Sequence, residues 1–99
     1  MSVANYINRY IKEPQLLTRA QCVPSLRCKD GFSASVQVSP GHFSTRRYTN
    51  NEIMEVEIGF PSEELGPRFE QYIKDDGIYG YVPIELVDEL IDSHGGLVE

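Results

Sequence analysis

The sequence contains no tryptophan, only two cysteines and two histidines, and no long hydrophobic run. A membrane-spanning helix requires about 20 consecutive apolar residues, and no stretch of this chain approaches that length. The first twelve residues also lack the continuous apolar segment of a secretory signal. We therefore expect a cytoplasmic protein that does not bind membranes.

The two cysteines do not belong to a recognisable metal or redox motif. Five residues separate Cys22 from Cys28, which matches neither a C-x-x-C redox pair nor a zinc knuckle. Adding His42 and His94 does not produce a metal-ligand spacing either. The glycine-rich stretches lack the strand and helix context of a phosphate-binding loop. We therefore expect no bound metal, no other cofactor and two structural thiols, since a disulfide would lack its usual oxidising compartment.

The sequence does not indicate an enzymatic site. Cys28, His42 and an acidic residue could together supply a nucleophile and a base, but no local signature of a nucleophilic enzyme surrounds them. We therefore expect no catalytic residues and a protein that is not an enzyme. An accessory enzyme is kept only as an alternative hypothesis.

Charge is divided unevenly along the 99 residues. The net charge of -6 disfavours direct binding to nucleic acid. However, residues 1–50 contain seven basic and two acidic side chains, whereas residues 51–99 contain two basic and thirteen acidic ones. An anionic ligand would therefore have to bind the basic half, and a basic partner surface would face the acidic half.

Length and composition predict a single domain over residues 1–99, because a chain of this size can build one hydrophobic core. The first element is a helix over Val3–Lys12, where apolar residues recur at helical spacing. Ser2 is suited to its N-cap, and Pro14 would end it. We expect residues 1–13 to serve as a peripheral or dimerising arm, which makes a homodimer a further hypothesis.

A β-hairpin gives the strongest local pattern. Its two arms, Ser25–Lys29 and Phe32–Ser39, flank Asp30-Gly31, a dipeptide suited to a tight turn. Apolar and polar residues alternate in the second arm, which predicts one buried and one polar face. The residues of the buried face are Ala34, Val36 and Val38, and those of the polar face are Ser33, Ser35, Gln37 and Ser39.

The rest of the chain predicts further strands and helices. A loop over 40–52 precedes a strand with Met54, Val56, Ile58 and Phe60 on one face. A helix is expected to begin near Ser62 and, after an interruption at Gly66-Pro67, to continue to about Asp75. A strand over 78–82 and a helix over 84–94 complete the order. These elements predict a small α+β domain: a mostly antiparallel sheet, made of a hairpin plus one or two further strands, packed by two to three helices.

Two groups of side chains are candidate binding surfaces: a basic and aromatic group that would bind a ligand or a partner, and an acidic face on the last predicted helix. Arginine guanidinium groups near an imidazole could grip a phosphate or carboxylate, and two tyrosines flanking Gly80 could form a stacking platform on one strand face. The alternatives are that the arginines pair with nearby glutamates and that the tyrosines cover the core. The candidate ligand- or partner-binding residues are Arg27, Lys29, His42, Arg46, Arg47, Tyr48, Tyr79 and Tyr81. The candidate acidic partner-binding face consists of Glu85, Asp88, Glu89 and Asp92.

A set of short motifs resembles small open reading frames of phages and prophages. The motifs are Cys28-Lys29-Asp30-Gly31-Phe32-Ser33, Ser35-Val36-Gln37, His42-Phe43, Val56-Glu57-Ile58-Gly59-Phe60-Pro61-Ser62, Tyr79-Gly80-Tyr81-Val82-Pro83 and His94-Gly95-Gly96. The chain departs from the pattern at Ser44 and Arg46, where the family has a cysteine and then a proline, and Arg47 is the matching arginine.

The resemblance implies a small phage protein that acts in the cytosol of a host bacterium and is not part of the virion. Phage proteins of this kind are frequently antagonists of host defence. The first functional hypothesis is therefore a non-catalytic inhibitor that binds a host defence protein, as an anti-CRISPR protein does. The alternative is an oligomeric sponge that sequesters a nucleotide second messenger of host immunity.

Overall fold

An antiparallel sheet organises the part of the chain that the structure, a computed structural model, describes: residues 2–11, 22–47 and 49–98. Within these ranges lie six strands, two α-helices and one 3₁₀ helix. In chain order they are α1 (Val3–Tyr10), β1 (Leu26–Arg27), β2 (Ser33–Gln37), β3 (Thr45–Arg46), β4 (Ile53–Gly59), the 3₁₀ helix (Pro67–Tyr72), β5 (Ile73–Asp75), β6 (Ile78–Pro83) and α2 (Ile84–Ser93). This arrangement confirms the predicted α+β class.

The sheet has the order β1-β2-β4-β6-β5, and β3 pairs with the first part of β4, beside β2. The predicted hairpin is present, with Leu26 opposite Ala34 in the ladder. Its turn uses both predicted residues. Gly31 adopts a φ of 98°, which glycine tolerates without strain, and the Asp30 carboxylate accepts a hydrogen bond from the Phe32 amide.

The helices cover one face of the sheet and bury its apolar residues. Val56 and Ile58 of β4 and Val82 of β6 are completely buried, and α2 packs against both strands through Val87 and Ile91. Helix α1 packs on α2 and belongs to the same core. Its predicted N-cap is confirmed, because the Ser2 hydroxyl accepts a hydrogen bond from the Asn5 amide. Residues 12–13 of the predicted arm lie outside the described residues.

The prediction of a polar outer face on β2 is wrong beyond Ser35. Gln37 and Ser39 are only 6% and 7% exposed. Because β1 begins at Leu26, the backbone of Val23 does not pair with the β2 backbone in the ladder. The Gln37 amide replaces that ladder: its oxygen accepts from Val23 N at 2.8 Å, and its nitrogen donates to Val23 O at 2.9 Å and to Ser35 Oγ at 2.8 Å.

Two predictions for the chain between β4 and β6 are also wrong. No helix begins near Ser62, because Ser62 extends the sheet hydrogen bonding instead: its hydroxyl accepts from Ser33 N, and its amide donates to Ser33 O. The predicted helix from Pro67 to about Asp75 is a short 3₁₀ helix that buries Phe69 and gives way to β5. The Gly66-Pro67 pair therefore marks where helical structure begins, and tertiary pairing with β6 determines where it ends.

The end of β4 and the predicted loop 40–52 differ from expectation as well. Phe60 does not continue the buried face of β4, since it is 78% exposed and has a φ of 51°. The loop contains β3, whose Thr45 lies opposite Glu55 and donates its hydroxyl hydrogen to that carboxylate. The chain between β2 and β4 is thus attached to the sheet rather than detached from it.

Candidate functional site

A bulge in β6 determines how the two strand tyrosines are presented. Val56 pairs with Val82 and Ile58 with Tyr79, so three steps along β6 match two along β4. Gly80 and Tyr81 therefore both stand opposite Glu57, on the face of the sheet away from the helices. Tyr79 packs against the core. The prediction that Tyr79 and Tyr81 share one strand face is wrong, because the extra residue of the bulge reverses the alternation.

Tyr81 forms an exposed cluster with Phe43 and Lys74, which we call the aromatic surface. The rings of Phe43 and Tyr81 lie 5.9 Å apart at an edge-to-face angle of 60°. The Lys74 ammonium lies 5.5 Å from the centre of the Tyr81 ring, within the range of a cation–π contact. Phe43 and Tyr81 remain 44% and 41% exposed as residues. The chain therefore presents two aromatic rings and a cation together to solvent.

The backbone holds this surface in place. Tyr81 N donates to Phe43 O at 2.9 Å, and Phe43 N donates to the Glu57 carboxylate at 2.7 Å. A side chain at Gly80 would not fit, since a Cβ there would lie 2.7 Å from both Phe43 Cβ and Lys74 Cγ. The glycine between the two tyrosines thus allows the chain around Phe43 to approach β6 closely. Of the sequence signals, this glycine alone could have pointed to the surface.

The predicted basic cluster is divided between two environments. Arg46 is half-buried and donates from Nη1 to Asn51 O at 2.7 Å, while its Nη2 is buried without a hydrogen-bond partner. Burial lowers the pKa of Arg46 from its usual range. Arg47 is more exposed and pairs with the Glu52 carboxylate at 3.1 Å, as the alternative interpretation anticipated. The two guanidinium groups therefore do not converge into one clamp for an anion.

The remaining basic candidates lie in β1 and in the hairpin turn that follows it. Arg27 lies on β1, and Lys29 follows it at the hairpin turn, where both side chains are exposed. The C-terminal residues run alongside this strand, since Lys29 N donates to Gly96 O and Val98 N donates to Arg27 O, each at 2.9 Å. Tyr48 lies outside the described residues.

His42 lies beside Cys22 rather than with Cys28. Its Nε2 is 3.7 Å from Cys22 Sγ, and its Nδ1 is 2.5 Å from Ser39 Oγ. Cys28 is buried in the core, where burial and then the charge of Asp30 raise the pKa of its thiol. The pairing of Cys28 with His42 that was considered from the sequence is therefore not formed. The spacing of cysteines and histidines along the chain could not have identified Cys22 as the neighbour of His42. Both thiols are free, and Cys22 is exposed whereas Cys28 is buried.

The four acidic candidates on α2 differ in what they contact. Asp88 accepts a hydrogen bond from Val3 N at 2.9 Å and so joins α2 to the start of α1. Glu89 forms an exposed ion pair with Arg68 at 2.9 Å. Glu85 and Asp92 are exposed. The acidic face available to a partner therefore consists mainly of Glu85, Glu89 and Asp92.

Comparisons with protein-family models, with curated proteins and with solved structures return no match. Among residues 2–11, 22–47 and 49–98, no group of three or more histidine, cysteine or acidic side chains is arranged to hold a metal ion. In the same part of the chain, neither helix is long and apolar enough to cross a bilayer.

Proposed function

We propose that this chain is a non-catalytic binding protein that recognises another protein through its aromatic surface. The observation that carries the proposal is the backbone conformation of Tyr81. This aromatic residue is exposed, and its φ of 54° lies in the left-handed region. Such a conformation costs a non-glycine residue about 1–3 kcal/mol and is found preferentially at functional sites. The fold thus accepts strain at a residue whose ring is left in water beside a second ring and a cation.

The chemistry of this surface suits a protein partner. Aromatic side chains dominate the energetic centres of protein interfaces because they bury large areas at a small entropic cost. Phe43 and Tyr81 are anchored by backbone hydrogen bonds, so little further ordering would be required on binding. The guanidinium groups of Arg46 and Arg47 lie in different environments and do not converge. A phosphate-binding pocket built from both arginines is therefore a weaker interpretation than a protein-binding surface.

The resemblance to phage proteins supports a host defence protein as the partner, bound in the bacterial cytosol in the manner of an anti-CRISPR protein. The excess of acidic side chains in residues 51–99 favours a partner with a basic surface. On α2 the exposed Glu85, Glu89 and Asp92 would contribute to the association rate and its salt dependence rather than to most of the affinity.

The test compares Phe43→Ala and Tyr81→Ala with Tyr10→Ala, a matched control that removes an exposed aromatic residue from α1. The plating efficiency of a defence-sensitive phage is measured in a host that expresses each variant. We expect the wild-type protein and Tyr10→Ala to raise plating, and the two surface variants to lose at least about tenfold of the effect, as for an interface hot spot. Undiminished protection by both surface variants, at equal protein levels, would refute the assignment.

The unpaired Nη2 of Arg46 favours a second candidate, a sponge for a nucleotide second messenger. A buried donor without an acceptor is costly, and a phosphate oxygen could satisfy it only if the groups that cover Nη2 moved aside on binding. Calorimetry against cyclic dinucleotides and ADP-ribose derivatives tests this candidate. Binding that is lost in Arg46→Ala but kept in Tyr10→Ala would support the sponge, and the absence of binding heat for the wild-type protein would eliminate it.

A further inference from the structure

Cys22, His42 and Ser39 form a cluster with the geometry of an activated thiol. Cys22 is exposed, and its Sγ lies 3.7 Å from His42 Nε2. The other ring nitrogen, Nδ1, lies 2.5 Å from Ser39 Oγ, and Ser39 itself is buried. A nucleophile beside a base, with the base oriented by a third group, is the usual arrangement of enzymatic nucleophiles.

The turn over residues 39–44 fixes the imidazole. His42 N donates to Ser39 O at 3.0 Å, and Ser39 N donates to Ser44 Oγ at 3.2 Å. The Ser44 hydroxyl in turn lies within hydrogen-bond distance of both Ser39 O and His42 O. The contacts of this turn thus hold the backbone of His42, and the Ser39 hydroxyl holds its ring beside Cys22.

We propose that Cys22 is a nucleophilic thiol that reacts with disulfides of small thiols, with His42 as its base and Ser39 as the positioning residue. His42 Nε2 takes the thiol proton as Cys22 Sγ attacks one sulfur of the disulfide. A new S–S bond forms to Cys22, the original S–S bond breaks, and the departing thiolate takes the proton from His42. The products are a mixed disulfide on Cys22 and one free small thiol, with no net oxidation or reduction.

Disulfides are favoured over acyl compounds because of how the turn uses its amides. Acyl transfer relies on donors directed at an oxyanion, commonly backbone N–H groups near the nucleophile. In the described turn, Gly41 N donates to Ser39 Oγ, His42 N to Ser39 O and Phe43 N to the Glu57 carboxylate. Thiol–disulfide exchange develops charge only on sulfur and does not require such donors.

The experiment treats the folded protein with oxidised glutathione and follows each cysteine by peptide mass spectrometry. Cys28 is an internal reference, since it is buried and its thiol pKa is raised. We expect the mixed disulfide to form on Cys22 and not on Cys28. The rate should fall about tenfold or more in His42→Gln, since a positioned base typically contributes at least that factor, and it should be unchanged in His94→Gln, which removes the other histidine.

Two comparisons keep the result interpretable if His42→Gln unfolds. Circular dichroism reports whether each variant is folded, and the wild-type rate is measured again in guanidinium chloride, where the cluster no longer exists. Faster reaction of Cys22 in the folded chain than in the unfolded chain supports the proposal. Equal rates in folded and unfolded chains, or equal rates in folded wild-type and folded His42→Gln, would overturn it.

Discussion

The His94 ring, at the end of α2, donates from Nδ1 to the Asp30 carboxylate in the hairpin turn at 2.7 Å, although the two lie 64 positions apart in the sequence. The imidazole also stacks on Phe32, with ring centres 4.2 Å apart and planes within 9° of each other. Its Nε2 lies 3.7 Å from the Glu63 carboxylate. This cluster joins the β1–β2 turn, the segment after β4 and the end of α2.

Acid should weaken this junction. The backbone hydrogen bond from Phe32 and then the His94 hydrogen bond hold the pKa of Asp30 below its ordinary value, which is about 3.9. The ionised carboxylate therefore contributes stability above that pH, and the contribution disappears as the pH falls through the lower folded-state pKa. Urea unfolding across the acid range should show a decline in stability that is shallower in Asp30→Asn. Asp92→Asn, which changes an exposed carboxylate on α2, is the control, and equal acid slopes in all three proteins would contradict the prediction.

Replacing Gln37 should cost more than the loss of one ordinary hydrogen bond. Gln37→Leu keeps the buried site filled but leaves the N–H and C=O of Val23 without their partner. Each buried group left unpaired costs about 1–3 kcal/mol. Ser35→Ala, which removes only an acceptor of the Gln37 amide, should cost about 1 kcal/mol or less. Denaturant unfolding measures both variants, and similar losses for the two would count against the structural role of Gln37.

Glycine should stabilise the end of β4. Phe60 has a φ of 51° and is 78% exposed, so its backbone conformation is unfavourable for a residue with a side chain and its ring buries little surface. Phe60→Gly should be more stable than Phe60→Ala by about 1 kcal/mol, because glycine adopts this conformation freely. At Ile73, an exposed strand residue without positive φ, alanine should be the more stable of the same two replacements. Thermal unfolding of the four variants tests the sign, and the same order at both positions would disprove the argument.

Adding a methyl group at Gly80 should disturb the aromatic surface. The Cβ of Gly80→Ala would lie 2.7 Å from Phe43 Cβ, which is attached directly to the backbone and cannot swing away. Overpacking of this kind typically costs about 1–3 kcal/mol. Gly59→Ala is the milder control, since its Cβ would meet the flexible end of Ile78 at 3.2 Å and Ser35 Cβ at an ordinary contact distance of 4.0 Å. Near-UV circular dichroism of the tyrosines and unfolding midpoints should change more for Gly80→Ala, and the reverse order would contradict the assigned contacts.

Some elements follow from local sequence and others do not. The hairpin and both α-helices were predictable because Asp30-Gly31, the Ser2 cap and the spacing of apolar residues act within a few positions of the chain. The helix expected after Ser62 was not realised, because Ser62 exchanges hydrogen bonds with Ser33, which belongs to a distant strand. Local propensity favoured one structure, and a long-range pairing stabilised another.

The candidate site depended even more on long-range pairing. The sequence indicated that tyrosines, arginines and His42 were available for binding, but not which of them would meet. The bulge opposite Glu57 separates Tyr79 from Tyr81, and strand pairing places Arg46 and Arg47 in different environments. A shift of one residue in register moves a side chain to the other face of a sheet.

The sequence by itself determined a small α+β domain with a basic first half and an acidic second half, because these properties depend on composition and short-range periodicity. Only the tertiary structure decided that Cys22 meets His42, that Asp30 meets His94 and that Phe43 meets Tyr81. Each of these pairs is at least 20 residues apart in the chain. Their contact depends on strand register, the bulge and helix packing, which arise only when the whole core forms.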